Sequence, residues 1–486
     1  MPTGPARRID SQPGRAELAA ALGGSRSAIV LAFLFSAVIS LLMLTAPLYM
    51  LQVYDRVLRS RSVETLVALS LLMAFLFLLA GVLDHARGRI MARVGARLQS
   101  GLDGRVLQAA FRRMAQVPQD PAALAAQRDL DTLARFWASP MLLALFDLPW
   151  TPVFFAALFV FHPMLGWCAL AGAAVLVLVS LANQRASTHP LQAAAQAGQL
   201  ADRMAEGGKA EAELVRALGM TGAAVARWQV SRRQALVQGL AAADAGGRWT
   251  VLARSFRMFL QSAMLGLAAW LVLRDQMSPG AMVATSVLMG RALQPVEQVV
   301  AHWPGLGQAV QARARLAGLL AGVPPLPPRT PLPRPAARLE VQGLAIAPPG
   351  SPVATLRGVS FALTPGQALG VIGPSGSGKS TLARALIGAW PPIAGRIRLD
   401  GATLDQFDPD SLGRWIGYLP QRVALFEGSV AENIARLQAD ADPARVIAAA
   451  RAAAAHDMIL RLPDGYDTRL SANGGGLSGG QIQRLG

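Results

Sequence analysis

The chain has 486 residues, of which 53% are hydrophobic and only 15% are charged. Soluble domains carry about 25% charged residues, so this composition excludes an ordinary soluble protein and indicates a membrane protein with more than one domain. The net charge of +17 comes without basic patches interleaved with aromatic residues, so we predict no nucleic-acid partner. The only cysteine, Cys168, lies inside an apolar segment, which excludes a disulfide framework and a thiol metal site.

Six apolar segments follow a polar, basic segment of residues 1–27 that lacks the pattern of a removable signal peptide. We predict that each segment spans the membrane. The six are residues 28–51, 66–83, 141–161, 163–182, 258–273 and 281–300. Asp147 interrupts the third, and Arg291 and Glu297 interrupt the sixth. These intramembrane charges either line a translocation path or have a structural role, with Asp147 at an interface and Arg291 paired with Glu297.

Arginines between the spans predict the orientation. Residues 84–140 contain nine arginines, and residues 183–249 contain seven together with Lys209. Positively charged loops face the cytosol, so we place both stretches and the amino-terminal segment there. The first outer loop, residues 54–64, runs against this rule because it has three arginines. Alanine, leucine, glutamine and arginine recur at helical spacing in 124–130 and 210–218, which predicts helices that carry the spans into the cytosol.

A change of composition divides the chain into domains. We predict a transmembrane domain over residues 28–320 and a stiff linker over 321–337, where seven prolines fall between 323 and 335. Short β-like runs and turn signals then begin near residue 338. Residues 338–486 are therefore predicted to form a separate soluble domain.

The soluble domain contains a phosphate-binding loop, GPSGSGKST. Its members are Gly373, Pro374, Ser375, Gly376, Ser377, Gly378, Lys379, Ser380 and Thr381. The apolar run 368–372 predicts a buried parallel strand before the loop, and 382–386 predicts a helix after it. Backbone amides would cradle phosphate oxygens, Lys379 would reach the β- and γ-phosphates of ATP, and the Ser380 hydroxyl would bind Mg²⁺. Lys379 is one of only two lysines, in a chain where arginine otherwise prevails.

Two further motifs follow the loop in a fixed order. Gln421 follows the apolar run 416–420, which predicts a strand, and the sequence LSGGQ ends with Ser478, Gly479, Gly480 and Gln481. This order resembles the ATP-binding cassette domain. Residues 42–57 and 146–150 resemble the permease/ATPase subunits of type I secretion systems. The closest resemblance is to the branch that exports proteases and other proteins with a C-terminal signal.

The resemblance implies an α-helical transmembrane domain of the ABC exporter type, with six spans and long cytosolic helical extensions, followed by an α/β P-loop nucleotide-binding domain. It also implies a homodimer in the bacterial inner membrane that works with a periplasmic adaptor and an outer-membrane channel. Gln421 would sense Mg²⁺ and the γ-phosphate. Ser478, Gly479, Gly480 and Gln481 would close on ATP held by the other subunit.

Three departures from the family pattern qualify these expectations. Residues 344–349 lack the aromatic side chain on which family members often stack adenine. No peptidase domain precedes the first span, which argues against a leader-cleaving exporter. The family's second acidic metal ligand, water-polarising glutamate and switch histidine would all follow Gly486, and Asp400 is no substitute. We therefore expect residues 1–486 to bind ATP weakly without useful hydrolysis, and the central strands to have an exposed apolar edge.

Two other functions remain open at this stage. An ABC exporter of lipids or small amphiphiles would share every motif of the nucleotide-binding domain. A non-hydrolysing nucleotide-binding scaffold is the alternative from another class. Identifying the exported substrate would distinguish export of lipids or small amphiphiles from protein export. The sequence beyond Gly486 would distinguish a non-hydrolysing scaffold from an ATPase.

Overall fold

The structure is a computed structural model, and it describes residues 11–486 except 118, 328, 330, 331, 350, 352, 422, 439 and 472–474. Two compact units divide between Pro325 and Leu326. The first unit is helical in its described residues. Its helices are α1 (Gln12–Gly23), α2 (Arg26–Leu42), α3 (Thr45–Gln52), a π-helix (Val53–Val57), α4 (Leu58–Ser60), α5 (Val63–Gln116), α6 (Pro121–Trp137), α7 (Pro140–Asp147), α8 (Thr151–Phe161), α9 (Pro163–Ala210), α10 (Ala212–Ala217), α11 (Thr221–Leu273), α12 (Pro279–Ala301) and α13 (Trp303–Gly322).

Five helical stretches among the described residues are long and apolar enough to cross a membrane. They are Arg26–Ser60, Val63–Gln116, Pro140–Phe161, Pro163–Ala210 and Thr221–Leu273. The sixth predicted span coincides with α12, and its crossing of the membrane stays a prediction. At 1.5 Å per residue, α5 and α11 are each about 80 Å long, far more than the ~30 Å hydrocarbon core. The predicted helical extensions beyond the spans are therefore present.

Local breaks in the helices fall partly where the sequence predicts them. The third span is divided after Asp147 by a short 3₁₀ turn, Leu148–Trp150, because Pro149 cannot donate a backbone hydrogen bond. The helical prediction over 210–218 is largely confirmed, since α9 ends at Ala210 and α10 covers Ala212–Ala217. The first predicted outer loop is also largely helical, because the π-helix and α4 occupy most of it.

The amino-terminal helix α1 lies within a segment that was predicted only as polar. Leu18 of α1 is buried in an apolar cluster with residues of α5, α6 and α13. Gly14 lies against the backbone of Ala317, so closely that a Cβ would collide with the Ala317 carbonyl. Arg105 of α5 pairs with Glu17 at 2.8 Å and also donates to the Val323 carbonyl at 2.6 Å. The segment therefore packs against α5 and the carboxyl end of α13.

Two aspartates fix α6 in the same cluster. Asp129 accepts two hydrogen bonds from Arg315 of α13, at 2.5 and 2.7 Å. Asp120 caps α6 and pairs with Arg113 at 2.7 Å. Burial of Asp120 opposes its ionisation, but the hydrogen bonds from Arg113 and from the amides of Ala122 and Ala123 prevail, so its pKa is lowered. Charged hydrogen bonds therefore join α6 to α5 and α13 in addition to the apolar contacts of the cluster.

The second unit contains a four-stranded antiparallel sheet in the order β2-β1-β3-β4 and a two-stranded sheet of β5 and β6. Its strands are β1 (Leu339–Ile346), β2 (Leu356–Leu363), β3 (Ala394–Leu399), β4 (Ala402–Thr403), β5 (Gly428–Ser429) and β6 (Arg469–Leu470). Its α-helices are α14 (Lys379–Leu386), α15 (Pro409–Trp415), α16 (Val430–Ile434), α17 (Pro443–Ala452), α18 (His456–Leu460) and α19 (Gly479–Leu485). The buried side chains of Val341, Leu344 and Ile397 pack against α14 through Leu382 and Ala385.

The predicted strands before the phosphate loop and before Gln421 are wrong. Residues 368–372 and 416–420 belong to neither sheet. Leu369 is 47% exposed, Ile372 is 95% exposed and Leu419 is 57% exposed. A parallel strand needs hydrogen-bonding neighbours, and no described segment pairs with either run. The exposure of these apolar side chains agrees with the exposed apolar edge that the sequence predicts.

Gly395 offers a sharp test of the antiparallel sheet. Its φ is +80°, and a Cβ would collide with the carbonyls of Gln342 and Gly343 at the bulge between β1 and β3. We expect Gly395→Ala to destabilise the second unit by about 2–4 kcal/mol, since it adds a steric clash to left-handed strain. Gly401→Ala is the matched control, because Gly401 has φ +83° and open space. Equal shifts of the unfolding midpoint in the two variants would contradict this account.

Candidate functional site

The phosphate loop turns sharply into α14, and glycine makes that turn possible. Gly376 and Gly378 adopt φ of +83° and +93°, a left-handed conformation that favours glycine. A Cβ on Gly378 would lie 2.8 Å from Leu356 Cδ2, so the loop also needs a small residue there. Gly378 precedes α14 without a side-chain cap, so the first-turn amides of α14 have no acceptor within the helix. These amides can serve an anion.

Lys379 is folded over the loop that precedes it. Its Nζ donates to the carbonyls of Gly373 and Pro374, at 2.8 and 2.7 Å. Both acceptors are uncharged, and the ammonium belongs to the same turn as the free amides of α14. A phosphate entering the loop would therefore meet a cation that can exchange two neutral acceptors for charged oxygens.

The helix after the loop anchors the site in the second unit. Thr381 and Leu382 are buried, at 8% and 7% exposed, whereas Ser380 is exposed. The Ser380 hydroxyl is thus available as an oxygen ligand, the type of ligand that Mg²⁺ prefers. Within the described residues no cluster of histidine, cysteine or acidic side chains could hold a metal ion. A magnesium ion at this site would therefore rely on Ser380, Gln421, phosphate oxygens and water.

The signature residues stand at the start of α19. Ser478 Oγ accepts from the Gln481 amide at 3.3 Å, and Gln481 Oε1 accepts from the Ser478 amide at 2.7 Å. This reciprocal cap fixes the turn and leaves Gly479 and Gly480 exposed. Gln421 is also exposed. No hydrogen bond in the described chain joins Gln421 or the signature to the phosphate loop, so their roles stay predictions.

The side of the loop where adenine was expected has no aromatic residue. Between β1 and β2, the Thr355 amide donates to the Ile346 carbonyl at 2.8 Å. Thr355 and Leu356 are the side chains nearest to Gly378. The start of β2 is therefore next to the phosphate loop, and Val353, which precedes it, is 60% exposed.

Asp147 lies at a helix interface, as one of its two predicted roles requires. Arg87 of α5 donates to Asp147 at 2.5 Å, to Asp84 at 2.6 Å and to the Ser36 hydroxyl at 2.7 Å. Arg87 is 5% exposed. One buried guanidinium thus joins α2, α5 and the end of α7. The sequence does not single out Arg87, because nothing distinguishes it from the other arginines of that basic stretch.

Of the two roles left open for Arg291 and Glu297, the structural pairing of one with the other is wrong. Glu297 pairs with Arg257 of α11 at 2.8 Å, and Arg291 donates to Gln294 at 3.2 Å. Arg291 and Glu297 are six residues apart on α12, so they lie on different faces of the helix. Glu297 therefore joins two helices instead of stabilising one.

Two family models match the chain. The model described as ABC transporter transmembrane region matches residues 29–296, and the model described as ABC transporter matches residues 356–486. The second match includes the phosphate loop, Gln421 and the signature. Both matches agree with the division of the chain into a helical unit and a nucleotide-binding unit.

Curated proteins are similar to this chain over nearly its whole length. It is 42% identical to the type I secretion system ATP-binding protein PrsD of Rhizobium meliloti, covering 98% of this chain and 82% of PrsD. It is 30% identical to the cyclolysin secretion/processing ATP-binding protein CyaB of Bordetella pertussis, covering 93% of this chain but only 64% of CyaB. It is 29% identical to the leukotoxin translocation ATP-binding protein LktB of Mannheimia haemolytica, covering 91% and 63%.

A solved structure has a similar fold. A bacterial Atm1-family ABC exporter with ATP bound matches with a TM-score of 0.77 and 21% identity, over 95% of this chain and 82% of that one. At this identity the likeness shows the fold alone. It confirms the predicted architecture of a helical exporter domain followed by a nucleotide-binding domain.

Proposed function

Because the chain belongs to the ABC transporter family, in its type I secretion branch, we propose that it drives the export of proteins across the bacterial inner membrane with ATP. The observation that carries this proposal is the similarity to PrsD, which extends through both units. Export of lipids or small amphiphiles is less well supported, because PrsD and CyaB are named for secretion and LktB for the translocation of leukotoxin.

The residues of the phosphate loop suit a nucleoside triphosphate with Mg²⁺. Lys379 would move from the carbonyls of its own loop to the β- and γ-phosphates, and the free amides of α14 would face the phosphate oxygens. Ser380 and Gln421 would supply neutral oxygen ligands to the metal ion. Gly479 and Gly480, held at the start of α19 by the Ser478 cap, would present backbone amides to the γ-phosphate of ATP bound by a second subunit.

The assembly follows from these roles. A signature that acts on a nucleotide bound elsewhere needs a second nucleotide-binding domain, which a homodimer would supply. The arginine-rich stretches of the first unit support a cytosolic second unit, and export beyond the inner membrane would use a periplasmic adaptor and an outer-membrane channel. The exported protein would carry a C-terminal signal, as in the branch that residues 42–57 and 146–150 resemble.

Direct binding measurements separate protein export from export of small amphiphiles. The purified chain in lipid nanodiscs is titrated with the labelled C-terminal segment of a secreted protein that has Gly/Asp-rich calcium repeats, and separately with a labelled lipid analogue. We expect saturable binding of the C-terminal segment, and a segment shortened at its C-terminus is the control. Binding of the lipid analogue alone would favour the competing function.

A further inference from the structure

A carboxylate near the end of the first helical stretch, Arg26–Ser60, accepts hydrogen bonds from the start of α12. Asp55, in the π-helix, accepts a hydrogen bond from the Ser278 hydroxyl, and its Oδ1 accepts from the Gly280 amide at 3.0 Å. The Ser278 oxygen in turn accepts from the Ala281 amide at 3.1 Å. Helix starts leave such amides unpaired unless a side chain accepts from them. Here, part of that cap comes from residue 55, more than two hundred positions away in the chain.

The backbone on both sides of this contact lets Asp55 approach the start of α12. Gly280 is buried, and a Cβ at this position would lie 2.6 Å from Asp55 Cγ. Any larger residue would therefore push the carboxylate off α12. Asp55 also lies in the middle of a π-helix, a rare conformation that often occurs at functional positions. Glycine on one helix and the π-helix on the other thus allow one carboxylate to approach two donors.

Water can reach the groups that form this contact. Asp55 and Ser278 are only half-buried, so water can replace each lost hydrogen bond. In the described part of the chain, no other side-chain hydrogen bonds join the first span to α12. Near its other end α12 is held by the pair of Glu297 and Arg257. The first span also packs against α12 through α3. Breaking the Asp55 contact would free the outer end of α12 while α12 remains attached to α11.

We propose that Asp55 is a positioning residue that latches the outer ends of the first span and α12, and that binding of ATP and Mg²⁺ opens this latch. The inference rests on the proposed function, because an ATP-driven exporter must open its outer end at one stage of its cycle.

Cross-linking tests the latch directly. Cys168 is the only cysteine, so Cys168→Ser gives a cysteine-free background. Asp55→Cys and Ser278→Cys are then introduced together, and the protein in nanodiscs is oxidised with and without ATP and Mg²⁺. We expect a cross-link without nucleotide and a yield about fivefold or more lower with it, the lower end of typical coupling between sites. Adding Lys379→Ala should remove the difference. Equal yields in the two conditions would show a static cap and overturn the proposal.

A second experiment leaves Asp55 and Ser278 free of cysteine. Thr285 lies in α12 and is only 1% exposed, so Thr285→Cys reports opening through its reaction with a membrane-impermeant thiol reagent. We expect Asp55→Ala and Gly280→Ala to speed labelling about tenfold without nucleotide, the effect of losing one charge-assisted hydrogen bond. Gly266→Ala is the control, because a Cβ there meets open space. Unchanged labelling in both variants would overturn the latch.

The proposed function and the latch can fail separately. A titration with labelled ATP precedes both experiments. If the protein binds no ATP, the proposed function fails. If the protein binds ATP and the cross-link does not respond, the latch alone fails.

Discussion

Replacing Lys379 with alanine is expected to weaken ATP binding by about 100-fold or more, the loss typical of a charge-assisted phosphate contact of roughly 3 kcal/mol. Its ammonium is the cation of the phosphate loop, and it is held 2.7–2.8 Å from two loop carbonyls next to the free amides of α14. The backbone cradle remains in the variant, so weak binding through the triphosphate should persist. Equilibrium titration of the purified protein with a fluorescent ATP analogue measures the change.

The chain offers an unusually clean control for this variant. Lys209 is the only other lysine, and it lies at the end of α9 in the first unit. Lys209→Ala removes the same charge and should leave ATP affinity unchanged. Lys379→Arg should bind nearly as weakly as Lys379→Ala, because a planar guanidinium does not fit where a slender ammonium enters between phosphates. Equal affinity of the parent and Lys379→Ala would show that nucleotide binds elsewhere.

Replacing Arg87 with methionine is expected to destabilise the first unit by about 3–5 kcal/mol, the range for leaving one partner of a buried ion pair uncompensated. Methionine keeps the length of the side chain but removes all three donated hydrogen bonds, so Asp147 would lose its ion pair and Ser36 its hydrogen bond from Arg87. The unfolding midpoint in detergent and the fraction of monodisperse protein measure the effect.

Two variants separate this pair from a general effect of charge. Arg89 lies two residues further along α5 and is exposed, so Arg89→Met should change stability little. Adding Asp147→Asn to Arg87→Met removes the uncompensated carboxylate and should recover part of the loss. If Arg87→Met is as stable as Arg89→Met, Asp147 is not held by this ion pair, and a role in the translocation path becomes the better explanation.

Elements with strong local signals could be predicted from the sequence. The apolar runs predict five helical stretches that the structure contains, because a bilayer requires about 20 apolar residues in a row. The pattern from Gly373 to Thr381 predicts a tight turn followed by a helix, and left-handed glycines at 376 and 378 provide it. Such features depend on residues close together in the chain.

Features that depend on distant partners could not be predicted. The runs 368–372 and 416–420 have strand composition, but a strand also needs neighbours, which no described segment provides. Arg87, Arg257 and Arg315 resemble every other arginine in the sequence until the fold brings each to a carboxylate. Asp55 likewise gains its role only because α12 begins beside it.

Coupling between the phosphate loop and the exported protein tests the central claim most directly. The affinity of the chain in nanodiscs for a labelled C-terminal signal segment is measured with and without saturating ATP and Mg²⁺. By linkage, the segment must change ATP affinity by the same factor. We predict a change of about fivefold or more that is lost in Lys379→Ala and retained in Lys209→Ala. Binding of the segment that is the same with and without ATP, or that responds equally in Lys379→Ala, would contradict ATP-driven protein export by this chain.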